Sequence, residues 1–105
     1  MKQRVHVYYT NDMVDKLNKV AKERFYINAK TRLADASAYV VTLGLPSVKR
    51  VFQPPKGAKF FSPSFPVEIV EKLEMVRDKN QASSSSSVAY TALVLGLESL
   101  GVEHG

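Results

Sequence analysis

The chain contains no cysteine, which removes both a disulfide-stapled secreted fold and any thiolate zinc site. Histidine is almost as scarce. With only His6 and His104, a histidine-rich metal centre has too few ligands, and no metal or other cofactor is expected. Apolar runs are short. None approaches the roughly 18 to 20 residues that a membrane span requires, and Met1-Lys2-Gln3-Arg4 leads into an alternating segment rather than the apolar stretch of a signal peptide. A cytoplasmic protein with no membrane partner is the resulting expectation. Also missing are a glycine-rich phosphate loop, a spaced metal-ligand set, and a nucleophile motif with a histidine partner. These absences argue against an enzyme.

What is present suits a small folded domain. The 105 residues are 45% hydrophobic and 24% charged, with 15 Lys and Arg against 10 Asp and Glu. The net charge of +5 is unevenly placed. Residues 1–52 carry ten cations and four acids, a net of +6, whereas residues 53–105 carry five cations and six acids, a net of −1. A positive field confined to one half is expected of a chain that meets a polyanion there.

The hydrophobic pattern is one unit written twice. Arg4-Val5-His6-Val7-Tyr8-Tyr9 alternates, with Val5, Val7 and Tyr9 on one face and Arg4, His6 and Tyr8 on the other, the period of a half-buried strand. Thr10, Asn11 and Asp12 offer N-cap chemistry to a helix whose apolar stripe is Met13, Val14, Leu17, Val20 and Ala21. A polar connection through Asn28, Lys30 and Thr31 precedes a second helix, capped at Thr31 or Asp35 and running through Ala36, Val40, Val41, Leu43 and Leu45. Gly44 and Pro46 mark its end.

The second copy follows the same order. Phe61, Pro63 and Phe65 alternate with Ser62 and Ser64, and Pro66 stands where a helix would start. Ile69, Val70, Leu73 and Val76 give its stripe. The serine run 83–87 reads as the capped start of a fourth helix through Val88, Ala92, Leu93, Leu95, Leu97 and Leu100. Val14-Asp15-Lys16-Leu17 matches Val70-Glu71-Lys72-Leu73 at an offset of 56, and Leu43-Gly44-Leu45 matches Leu95-Gly96-Leu97 at an offset of 52. The connection between helices is therefore four residues shorter in the second copy. Residues 1–48 and 59–105 are the two units and 49–58 the linker, within a Pro-rich basic segment, 46–58, whose thirteen residues can span about 43–47 Å.

One such unit leaves a strand edge and two apolar stripes uncovered; two units pair their strands and share one core. The expected fold is mainly α with a two-stranded antiparallel β-ribbon, both units forming one compact domain. Over most of residues 3–48 the sequence resembles the ribbon-helix-helix DNA-binding proteins, which include the phage Arc, plasmid copy-number and methionine repressors. Arg4 to Thr10 followed by Val14 to Ala21 carry the resemblance, and the second copy fits more loosely.

The resemblance implies a tandem pseudo-dimer that lays its ribbon in the major groove of double-stranded DNA. The matching base-reading positions are Arg4, His6 and Tyr8, with Phe60, Ser62 and Ser64 as counterparts. Phosphates would be held at the start of the second helix of each unit, near Lys30, Thr31 and Arg32 and near Ser84, Ser85 and Ser86. A small repressor or a plasmid or conjugation accessory factor is the implied role. The alternative is the same scaffold serving as a protein-interaction module, with Phe60, Phe61 and Phe65 supplying an apolar surface.

Pro63 departs from the pattern. Lacking an N–H, it should face away from the partner strand or mark a bulge. If it disrupts the second strand, two chains would pair through their first strands. A one-chain ribbon predicts an asymmetric site, a two-chain ribbon an inverted repeat. Self-association on DNA stays open.

Overall fold

The computed structural model describes residues 1–24, 32–82 and 84–101. Chain order is β1 (Lys2–Arg4), β2 (Val7–Tyr9), α1 (Asn11–Arg24), α2 (Arg32–Gly44), a 3-10 turn (Leu45–Ser47), β3 (Lys59–Phe61), β4 (Ser64–Pro66), α3 (Val67–Lys79) and α4 (Ser85–Ser99). The architecture is mainly helical, with small two-stranded antiparallel sheets laid over four helices.

Strand pairing occurs within the one chain. β1 pairs antiparallel with β4, Lys2 opposite Pro66 and Arg4 opposite Ser64; β2 pairs antiparallel with β3, Val7 opposite Phe61 and Tyr9 opposite Lys59. The residue numbers of every pair have the same total. The two short ladders are therefore one register interrupted at Val5-His6 and Ser62-Pro63, with two residues opposite two.

That interruption revises the expectation for Pro63. Its carbonyl accepts a 2.9 Å hydrogen bond from the Val5 N–H, so it faces the partner strand, and the unbroken register contains no bulge. The physical reason is that only the return bond needs an N–H at position 63. Loss of a single bond opens the ladder without shifting it.

Local chemistry sets the helix ends. The Thr10 hydroxyl accepts from the Met13 N–H at 3.1 Å and starts α1 as the sequence suggests. Pro66 is the N-cap residue of α3, where its missing N–H costs nothing. Ser84 caps α4, its Oγ accepting from the Ser87 N–H at 3.4 Å. At the far end of α3 the Ala82 N–H reaches back to the Arg77 carbonyl at 2.9 Å, and Gln81 takes a φ of 53°, a left-handed termination that usually falls to glycine. α2 begins at Arg32, so Asp35 lies in its first turn; Thr31 is outside the described residues.

The halves interlock. α4 of the second half packs on β2 of the first, α2 of the first packs on β4 of the second, and α2 against α4 is the most extensive interface. Tyr9, Leu17 and Val41 are buried in the first half; 56 or 52 residues later Phe65, Leu73 and Leu93 are buried in the second. The α2–α4 crossing depends on two glycines at equivalent positions. A Cβ on Gly44 would overlap the Ala92 carbonyl oxygen, and one on Gly96 would overlap that of Val40. Backbone meets backbone at both points.

The linker is packed rather than tethered in solvent. Val48 and Val51 lie against the core, and the Phe52 N–H donates at 2.8 Å to Thr91 Oγ1, which in turn donates to the Ser87 carbonyl at 2.8 Å. Pro55 to Ala58 then forms a turn closed by the Ala58 N–H on the Pro55 carbonyl, with Gly57 at φ 88°, where a side chain would be strained. This turn delivers the chain into β3. Among the described residues no helix is long and apolar enough to cross a membrane.

Candidate nucleic-acid interface

The ribbon turns Val5, Val7, Tyr9 and Phe65 inward, and its other face is open. Val67 N–H to Met1 O and Val5 N–H to Pro63 O place the odd-numbered first-strand residues at hydrogen-bonded ladder positions. Arg4 opposite Ser64, His6 opposite Ser62 and Tyr8 opposite Phe60 therefore take the positions where cross-strand side chains come closest. All five base-reading candidates, Arg4, His6, Tyr8, Ser62 and Ser64, fall on this face. Arg4 and His6 are exposed, and Tyr8, Ser62 and Ser64 are half-buried.

Contacts across the face make its two ends unlike. His6 Nδ1 and Ser62 Oγ are hydrogen-bonded at 3.1 Å, and the imidazole stacks on Phe60 at 4.8 Å between centroids and 23° between planes. Tyr8 meets the same ring edge-on at 5.1 Å. Phe60, held from two sides, is still 50% exposed. Beyond it Phe61 lies edge-to-face on Tyr9 at 5.4 Å. Sequence alternation assigns Phe61 to the inner face, yet it is 39% exposed while resting on the fully buried Tyr9.

The electrostatics of this face follow from where acids are absent. Residues 1–11 and 36–67, which hold both strands and the linker, contain no Asp or Glu, while Lys2, Arg4, Lys49, Arg50, Lys56 and Lys59 are all there and all exposed. Acids are confined to the helices and the terminal residues. Among the described residues the two regions are tied by the ion pair of Lys2 Nζ with Asp35 at 3.7 Å, exposed enough to contribute little.

Of the phosphate-binding candidates, Lys30 and Thr31 lie outside the described residues, as does the side chain of Arg32. Ser84, Ser85 and Ser86 can be placed. Ser85 and Ser86 share a shallow cleft with Gln3, Arg4 and His6, and Glu74 also lines it. Ser84 lies on the other side of the helix start, in a second hollow with Tyr8 and linker residues 53–55. As the first helical residues, Ser85 and Ser86 have N–H groups with no preceding turn to accept them. Sequence reasoning missed the linker's approach to Tyr8 and the capture of the Phe60 ring by His6, since neither leaves a periodic signal.

Beneath the ribbon, Tyr9 and Ser37 make a buried polar contact. Ser37 Oγ donates to the Leu33 carbonyl at 2.6 Å, so at 2.8 Å it must receive its other bond from the Tyr9 hydroxyl. Burial pushes the Tyr9 phenol up to about 12, opposed in part by the Ser37 hydroxyl, which could turn to a phenolate only by releasing Leu33. Among the described residues no group of three or more His, Cys, Asp or Glu could hold a metal ion.

No protein-family model, curated protein or solved structure matches the chain. The reading of its function therefore rests on the face itself.

Proposed function

We propose that this chain is a tandem ribbon-helix-helix protein, two units folded as a pseudo-dimer, that binds double-stranded DNA without catalysing a reaction. It would insert the β-ribbon in the major groove, with Arg4, His6, Tyr8, Ser62 and Ser64 toward base edges and the starts of α2 and α4 toward phosphates. A role as a small repressor, or as an accessory factor at a plasmid or conjugation site, fits such a module. The observation that supports the reading best is the exposed ribbon face, cationic at Lys2 and Arg4, with Lys59 exposed at the strand end, and free of carboxylates along both strands. The strands themselves offer a polyanion no like charge; the carboxylates beside the face, Asp35 at Lys2 and Glu74 in the cleft with Arg4, belong to helices.

Salt dependence tests the reading. Neutralising about four phosphates should lower duplex affinity by on the order of a hundredfold between roughly 50 and 200 mM salt. Binding that is absent at low salt, or indifferent to salt, defeats it. A second reading, a protein-interaction module, draws on Met75, which is 70% exposed beside a hollow lined by Thr42, Leu45, Pro46 and Lys72. Under that reading, duplex DNA would not be retained.

A further inference from the structure

The ribbon has a pseudo-twofold centre and chemically different ends. The offset that relates the two strands is 56, so Arg4 corresponds to Phe60, His6 to Ser62 and Tyr8 to Ser64. Across the ribbon, His6 faces Ser62, its own counterpart, and this pair marks the centre. On one side of it stand Arg4 and Ser64, both hydrogen-bonding; on the other stand Tyr8 and Phe60, an aromatic pair.

We propose that the ribbon reads its duplex in one fixed orientation, a polar half-site under Arg4 and an apolar half-site under Phe60. This rests on the DNA-binding reading above and specifies it further. A guanidinium presented from an exposed strand position matches the two acceptors of guanine, O6 and N7. A rigid phenyl ring has nothing to donate or accept, and the one apolar group that the major groove offers it is the thymine methyl. Phe60 is suited to that contact because His6 and Tyr8 hold its ring from two sides and leave half of it exposed.

Geometry sets the spacing. Arg4 and the Tyr8–Phe60 pair are four residues apart along the strand, about 13 Å at roughly 3.3 Å per residue, which corresponds to about four base-pair steps of roughly 3.4 Å. The preferred site has guanine in one half, thymine about four steps away, and no twofold symmetry.

The test is selection from a random duplex pool by the full chain and by Arg4→Ala, Phe60→Ala and Phe60→Arg, each checked for native thermal unfolding. For the unaltered chain an asymmetric motif is expected. Arg4→Ala should erase a guanine preference of roughly five- to 150-fold while sparing the thymine half. Phe60→Ala should do the reverse, and Phe60→Arg, which places the same side chain at both equivalent positions, should recruit guanine to both halves. A palindromic motif for the unaltered chain, or two alanine variants that relax the same position, would overturn the fixed orientation and leave DNA binding standing. No duplex retained at low salt would overturn both.

Discussion

His6 and Ser62 face each other across the ribbon at 3.1 Å and are also the same position of the two repeated units. In a symmetric pair of identical strands that position would face a copy of itself. Here an imidazole meets a hydroxyl, which can serve either tautomer as donor or acceptor, and the ring is left free to stack on Phe60. The centre of the ribbon is thus where the two halves differ with the clearest effect.

A second difference between the halves gives a stability prediction. Tyr9 and Ser37 share a buried hydrogen bond; the corresponding residues, Phe65 and Ala89, lack both hydroxyls and are fully buried. Ser37→Ala alone should cost about 1–3 kcal/mol by stranding the Tyr9 hydroxyl, and adding Tyr9→Phe should recover much of that. Urea unfolding of the two singles and the double measures the coupling.

Alkaline pH should act through the same tyrosine. Because folding raises the Tyr9 phenol from 10.0 to about 12, its contribution is fully present below pH 10 and is lost as pH climbs toward 12. That rise corresponds to about 3 kcal/mol, so the fall in unfolding free energy over that window should shrink in Tyr9→Phe.

The crossing glycines make a prediction whose sign decides between two effects. Helix propensity favours alanine over glycine by about 1 kcal/mol, so Gly44→Ala in an open helix would stabilise. Overlap with the Ala92 carbonyl oxygen opposes this, and neither backbone can yield as a side chain would. Net destabilisation of at least 2 kcal/mol is expected for Gly44→Ala and for Gly96→Ala, read from the denaturation midpoint. Stabilisation by either would refute the close crossing.

Gln81 offers the opposite case. Its φ of 53° is a conformation that a side chain disfavours by about 1–2 kcal/mol, and its side chain is exposed. Gln81→Gly should raise stability by about 1 kcal/mol in thermal unfolding, because glycine adopts the left-handed turn after α3 without that cost.

Much of this fold is legible in the residues. Alternation from Arg4 to Tyr9, the Thr10 cap, the Pro66 start and the paired offsets of 56 and 52 each depend on neighbours within one helical turn or on simple repetition. The remainder is tertiary. Nothing local tells that Thr91 will accept the Phe52 N–H from 39 residues away, or that Gly44 and Gly96 mark a backbone contact as well as a repeated word. Pro63 was legible as a missing donor, but whether that donor's absence would bend the strand depended on the neighbouring pairs that hold register on both sides. For the candidate interface, the outward residues followed from alternation, whereas the aromatic cluster on Phe60 required the pairing to be known.

Because both strands of the ribbon belong to one chain, its closure is a unimolecular event. The linker holds the second strand near the first at any dilution, so the midpoint of unfolding should not move with protein concentration, as it must when two chains supply the strands. A cell could hold a handful of such molecules and every one would keep its ribbon intact. Each substitution is also felt once per ribbon rather than twice, so the two ends of the ribbon can be altered independently.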